Sequence, residues 1–251
     1  FNKVIRTEKD LGKIEKIHNV EKLDYVFNTI KLLKKELAGK KPLIGFIGSP
    51  WTVATYIIEG NSSKTFTNVL KMLECDEKLL HKILDMLTNI SIDYLNKQIE
   101  SGIDVAMIFD TWGSLLNDEQ YEKFSLRYIN KIKNAIANQD IPLIYYVRET
   151  GRKLEALKNL DIDVLGIDST TDIGVIKKEI GDKFALQGNL DVNILKKDES
   201  DIIAAIKNIL ISYGSNSGHI FNLGTGITPD INPDKVKMLI DNLADISSKF
   251  H

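Results

Sequence analysis

PLIGFIGSPW, residues 42–51, is an apolar run that ends in Gly-Ser-Pro, the punctuation of a buried strand handing over to a helix. How that handover is built decides the fold. An open, doubly wound sheet normally follows its first strand with a glycine-rich fingerprint, G-x-G-x-x-G, at the helix start. Here GFIGSP lacks the third glycine and Trp51 stands next, so an open dinucleotide-type sheet is disfavoured. Outward from this point the same grammar recurs: DVAMIFD at 104–110, PLIYYV at 142–147, VLGID at 164–168, KFALQG at 183–188 and HIFNLG at 219–224. These runs read as strands buried on both faces rather than alternating, half-wet ones. Helical patterns lie between them. After Asp76, residues Leu79, Ile83, Leu87, Ile90 and Tyr94 share one helix face, and the spacing predicts further helices over 120–136, 202–211 and 233–246. Alternating strands and helices predict a parallel α/β sheet with right-handed crossovers. About six strand–helix units are visible where a closed (β/α)8 TIM barrel has eight. The expectation is one β/α-barrel domain over 1–251 whose N-terminal strand–helix units are absent from this chain, which begins at Phe1 rather than Met. A polypeptide truncated in that way should expose sheet edges, fold poorly and be inactive.

Composition narrows the function classes. In 251 residues, 43% are hydrophobic and 27% charged, an ordinary globular mixture. Thirty-three basic and 35 acidic side chains nearly cancel, with no long block of either sign, so neither nucleic acid nor a membrane surface is the expected partner. The single cysteine, Cys75, permits no intrachain disulfide and no thiolate-rich metal site, which suits a reducing cytoplasm. No apolar run approaches the roughly 18 residues of a membrane span. His18, His81, His219 and His251 are scattered without ligand spacing, so no metal site is expected, and Ser49 has no G-x-S-x-G elbow. Met72, Met86, Met107 and Met238 read as core fillers.

In a β/α barrel the chemistry gathers where strands end. The residues there are polar: Ser49 before Pro50 and Trp51; Asp110 and Thr111; Arg148 and Glu149; Asp168 and Ser169; Asn189 and Asp191; and Thr225 between two glycines. FNLGTGITPD (221–230) admits two readings, a backbone cradle for phosphate or a tight turn, and no Lys or Arg follows before Lys235. GSPWTVATYIIEG (48–60) places Trp51 and Tyr56 with the hydroxyls of Thr52 and Thr55 directly after a strand, a composition that suits a pocket for a large flat ligand with polar edges. For Trp51 core packing is the better reading; a buried Tyr56 phenol would need a partner.

Taken together, GFIGSPWTVATYIIEG (45–60), IFDTWGSLLNDEQYEKFSLRYI (108–129), ALQGNLD (185–191) and FNLGTGITPDINPDKV (221–236) resemble the uroporphyrinogen decarboxylase family along the chain. The resemblance implies a β/α barrel, a cytoplasmic homodimer, and removal of four carboxyl groups from the acetate side chains of uroporphyrinogen without cofactor or metal. The family's aspartate facing the pyrrole N–H groups, and its Met-Arg-Gln-Ala-Gly-Arg loop, would precede Phe1. What maps onto this chain is substrate-binding: Tyr56 on the family's active-site tyrosine, Thr111 on its Ser or Thr hydroxyl, Arg148 on a basic position after a strand. Thr225 falls where the family has histidine. A threonine can donate one hydrogen bond but cannot titrate near neutrality. Lesser departures are Ile47, Ser169 and Val192. In this light 221–230 reads as substrate wall.

Two other functions are open. A catalytically impaired tetrapyrrole-binding relative would account for Thr225. A related methyltransferase would need His and Cys ligands that Tyr146 to Gly151 does not supply.

Overall fold

The structure, a computed structural model, describes residues 4–12, 20–61, 63–215 and 217–250. Residue contacts divide the chain into two compact units, Phe1–Tyr145 with Leu160–Ile162 and Tyr146–Asn159 with Asp163–His251, and each is described by itself.

Unit 1 contains α1 (Asp24–Leu37), β1 (Ile44–Gly48), α2 (Pro50–Glu59), α3 (Thr67–Cys75), α4 (Glu77–Glu100), β2 (Val105–Asp110), α5 (Asp118–Tyr121), α6 (Arg127–Ile136) and the start of β3 (Leu143–Val147). Strands β1 and β2 are parallel, with Ile44 opposite Val105 and Gly48 opposite Phe109, and β3 lies on the other side of β2. The helix expected after Asp76 starts there because the Asp76 carboxylate accepts the Leu79 amide at 3.2 Å. Leu79, Ile83 and Leu87 of its predicted face are buried, each such aliphatic side chain being worth roughly 1.5–3 kcal/mol. The helix predicted over 120–136 is different in kind. It begins at Asp118 behind an Asn117–Gln120 capping box and is interrupted by a π-helical stretch, Glu122–Leu126, that turns Phe124, Ser125 and Leu126 inward together. Amphipathic spacing alone does not reveal such an insertion.

Unit 2 contains α7 (Leu154–Leu157), β4 (Val164–Gly166), α8 (Ile173–Ile180), β5 (Ala185–Leu190), α9 (Glu199–Tyr213), β6 (His219–Leu223) and α10 (Pro233–Ser247). Strands β4, β5 and β6 pair in parallel, Leu186 meeting His219 and Leu190 meeting Leu223. Leu190, Ile202, Ile206, Leu210, Leu239 and Ile246 form one core between β5, α9 and α10.

Strand and helix therefore alternate as expected, with three corrections. β4 stops at Gly166, two residues early, and β5 runs two residues beyond Gly188, so Asn189 is inside a strand rather than after one. Uniform burial holds for the middle strands but not for β1 or β6, where Phe46 is 61% exposed and Ile44 and Ile220 are 42% exposed. Each of those two strands has a strand neighbour on one side within its unit, and these side chains stay exposed although the Phe46 ring meets Phe109 edge-on at 5.8 Å.

The free side of β1 is nevertheless satisfied at Phe46. A residue in a parallel ladder sends its N–H and C=O to the same neighbour, and Leu43 faces β2 through Asp104 N at 2.8 Å, so Phe46 faces away. Gln98, buried on α4, accepts from Phe46 N and donates to Phe46 O, both at 3.1 Å. In unit 2 the segment after β6 is tied down at its far end: Lys196 Nζ meets Asp230 Oδ2 at 2.7 Å, and Lys235 Nζ donates to Lys197 O at 2.8 Å. Lys196 and then the Thr228 hydroxyl hold the Asp230 carboxyl down at about 2.

Two outcomes follow. Gln98→Ala leaves the part-buried N–H and C=O of Phe46 without their side-chain partner and should lower stability by about 1 kcal/mol, read as a reduced urea midpoint; an unchanged midpoint would show that water serves Phe46 equally well. Asp230 has a folded pKa below its ordinary value of 3.8, so its contribution is complete above that value and disappears as pH falls from there through about 2. An NMR titration should find Asp230 titrating at the low end in the native chain and moved back toward the ordinary range in Lys196→Ala.

Candidate active site

At the end of β1, Ser49 caps α2: its hydroxyl oxygen accepts the Thr52 amide at 3.0 Å while Pro50 occupies the first helical position, where a missing N–H costs nothing. The same hydroxyl donates to Asp110 Oδ1 at 2.5 Å. Thr52 Oγ1 donates to Oδ1 at 3.1 Å. The other carboxylate oxygen, Oδ2, accepts from Ser125 Oγ on the π-helical stretch and from Tyr145 OH on β3, the latter at 2.8 Å. With the Tyr145 proton committed, Tyr121 OH is the donor in the 2.6 Å contact between the two phenols. Asp110 is fully buried. Burial pushes its carboxyl above the ordinary range, opposed by the donors Ser125, Ser49, Tyr145 and Thr52.

From this anchor the chain continues into Thr111 and Trp112. The Trp112 amide donates to Thr52 Oγ1 at 3.2 Å, and the Trp51 indole donates to Trp112 O at 2.8 Å. The Trp112 ring lies 4.5 Å from Phe66 and meets Tyr56 edge-on at 6.5 Å between centroids. Tyr56 and Thr111 are both half-buried. Trp51 is fully buried, as core packing requires, and it also pins the loop.

In unit 2, Asp168 follows β4 and accepts the Glu149 amide at 2.9 Å and Thr170 Oγ1 at 2.9 Å. Glu149 has a left-handed φ of 56°, a conformation that costs a non-glycine residue roughly 1–2 kcal/mol; the bond to Asp168 holds that turn, and with it the exposed Arg148. Asn189 Nδ2 donates to Asp168 O at 3.1 Å and to Thr171 O at 2.6 Å. Tyr146 OH donates to Gly224 O at 3.2 Å, next to half-buried Thr225. Burial and then the Asp168 charge push the Tyr146 phenol up to about 12, against the pull of Arg148, so it is a neutral donor at physiological pH. Gly224 is required by close approach: a Cβ there would lie 2.5 Å from Ser169 N.

Of the residues singled out in the sequence, Tyr56 meets the Trp112 ring and Thr111 directly precedes Trp112 in unit 1, and Arg148 and Thr225 lie in unit 2 on segments joined through Tyr146. Ser125, Tyr121 and Tyr145 were not legible as site residues. The paired tyrosines of PLIYYV were a signal, since a phenol in a buried strand needs a partner; Ser125 carried none, because the π-helical stretch sets its direction.

The histidines are engaged structurally. His81 Nδ1 is 2.6 Å from Tyr128 OH, and His219 stacks on Tyr213 with its Nε2 3.0 Å from Gly188 O; His18 and His251 lie outside the described residues. Among the described residues no cluster of three or more His, Cys, Asp or Glu side chains is placed to hold a metal, and no helix is long and apolar enough to cross a membrane.

The sequence model of the family described as uroporphyrinogen decarboxylase (URO-D) matches residues 1–245. The uroporphyrinogen decarboxylase of Cellvibrio japonicus is 42% identical over 255 aligned positions, covering 100% of this chain and 72% of that protein. The enzyme of the same name from Hahella chejuensis is 41% identical with the same coverage, and that of Coxiella burnetii is 43% identical over 249 positions, 98% of this chain and 69% of the relative. Among solved structures, a methyltransferase from Methanosarcina mazei superposes with TM-score 0.76 at 21% identity, over 88% of this chain and 64% of its own. A B12-independent methionine synthase from Shewanella gives 0.65 at 10% identity, over 89% and 66%. At those identities the structural likeness speaks to fold alone, and it agrees with the β/α-barrel class read from the sequence. With the whole chain matched at this level to named decarboxylases, the protein belongs to the uroporphyrinogen decarboxylase family of carboxy-lyases.

Proposed function

We propose that this chain forms part of an enzyme that removes the carboxyl groups of the four acetate side chains of uroporphyrinogen III, leaving methyls and giving coproporphyrinogen III. The observation that carries the reading is the likeness to decarboxylases along the full 251 residues.

The chemistry asks little of a protein's covalent repertoire. A proton added to the pyrrole beside its nitrogen makes the ring a cation; the carboxylate C–C bond then breaks, its electron pair flows into that cation, and CO2 leaves. A second proton on the exocyclic carbon gives the methyl, and loss of the ring proton restores the pyrrole. The substrate serves as its own electron sink, so the reading includes no cofactor. The protein's contribution is orientation and preset electrostatics. In this reading the Tyr56 phenol and Thr111 hydroxyl hold a reacting side chain at the Trp112 wall, and the exposed Arg148 guanidinium meets a substrate carboxylate. Thr225, on the glycine-flanked loop, offers a hydroxyl where the family uses an imidazole. A cytoplasmic homodimer is part of the proposal and rests on the family resemblance; sedimentation would test the assembly.

The intact protein, incubated with uroporphyrinogen under reducing conditions, should accumulate the four-carboxyl product by chromatography. Porphyrinogen binding without CO2 release would replace this reading with that of a binding relative. Tyr56→Phe should lower kcat/KM by about tenfold, the loss of one hydrogen bond worth roughly 1.5 kcal/mol. Thr225→His should raise the rate if imidazole is the better donor at this position; a slower variant would show that the loop is built for the smaller side chain.

A further inference from the structure

The carboxylate at the centre of the unit 1 network belongs to the residue directly before Thr111, and it binds the first turn of the helix that carries Tyr56. Asp110 ends β2. Its two oxygens gather the N-terminus of α2 through Ser49 and Thr52, the π-helical stretch through Ser125, and β3 through Tyr145. The two residues that follow are then fixed at both ends, by Asp110 before Thr111 and by the paired contacts of Trp112 with Thr52 and Trp51 after it. Tyr56 rides on α2, whose first turn is bound to the same carboxylate. Two further features are shaped around this group. The π-helical stretch carries Ser125 to Oδ2, and position 113 is glycine where any Cβ would sit 2.5 Å from Asp110 Oδ2 and 2.8 Å from the Tyr121 ring. A buried hydrophobic packing site would need neither.

We propose that Asp110 is a positioning residue of the decarboxylase: its carboxylate sets the Thr111–Trp112 turn and the Tyr56-bearing helix relative to one another, and so fixes the polar edge that holds a substrate side chain. The proposal rests on the decarboxylase reading. An amide cannot replace the carboxylate without cost, because a nitrogen at Oδ1 or Oδ2 would present hydrogens to two hydroxyl donors. Those hydroxyls would have to redirect their own protons and accept instead, in competition with the donors that Thr52 and Tyr145 already accept, the Trp112 amide and the Tyr121 phenol.

The experiment compares wild type with Asp110→Asn, Ser125→Ala and Tyr145→Phe in the intact protein, measuring kcat, KM, thermal unfolding and tryptophan emission. Trp51 and Trp112 are the chain's two tryptophans, and both belong to the network, so emission reports its geometry directly. A positioning role predicts that folded Asp110→Asn loses about 100-fold in kcat, the scale of a misplacement near 1 Å, with KM changed by a few-fold and emission shifted to the red. Ser125→Ala and Tyr145→Phe, each removing one donor, should lose roughly 3–10-fold in kcat, as one neutral hydrogen bond would. If Asp110→Asn does not fold, those two variants decide. Wild-type kcat in both, or losses that merely track the unfolded fraction, would overturn the proposal, as would Asp110→Asn with unaltered kcat and emission. A wild type inactive toward uroporphyrinogen would instead reject the decarboxylase reading, and the emission of Asp110→Asn would still decide whether the carboxylate sets the turn.

Discussion

A carboxylate with no access to water must be met by donors or it destabilises the fold, the uncompensated cost being several kcal/mol. Asp110 meets that condition with four hydroxyls drawn from three separate segments, Ser49 and Thr52, Ser125, and Tyr145. Because none of these segments is local to the others in sequence, the requirement acts as a long-range constraint. The four bonds form together only if Ser49 caps α2, if the helix after Asn117 carries its π-helical stretch, and if β3 presents Tyr145 rather than Tyr146 toward Asp110. The donors themselves are chained, with Tyr121 on Tyr145 and the Trp112 amide on Thr52, and such chains strengthen each member while penalising partial loss.

Unit 2 solves a similar problem by another route. Asp168 also follows a strand and is also buried, but it draws its donors chiefly from nearby backbone: the Glu149 amide, and at longer range the Thr150 amide, 3.4 Å away. Backbone donors cannot be altered by a point substitution except through the turn that presents them, so this carboxylate governs a backbone shape, the left-handed turn at Glu149. Asp110 governs the placement of side chains. The difference explains why Arg148 stands exposed beside a strained turn while Tyr56 and Thr111 are half-buried on a stiff hydroxyl mesh.

Much of the architecture was legible from periodicity. The face of α4, the strand-to-helix handover at GSP, and the alternation of strands and helices are set by local apolar spacing and by capping residues, both of which a linear reading captures. Tyr56 and Thr111 could be picked out because they follow strands and carry hydroxyls beside aromatics. What was not legible depends on three-dimensional bookkeeping. Ser125 reads as one polar residue on a helix until the π-helical stretch redirects it, the extension of β5 through Asn189 defies a polar side chain's usual place at a strand end, and the exposed residues of β1 and β6 look as apolar as those of the middle strands. For Ser125 and Asn189 the deciding partners, Asp110 and Asp168, lie on other elements.

The Gln98 amide turns its oxygen and one of its two N–H donors toward Phe46 in one plane, as a peptide group would, and so imitates a single unit of a neighbouring strand there. Any strand approaching that border must evict the mimic and gains at that point only the bonds it displaces. A stray β-segment is therefore offered little enthalpic reward. At Phe46 the backbone is thus closed, from within its own unit, to adhesion by a β-segment.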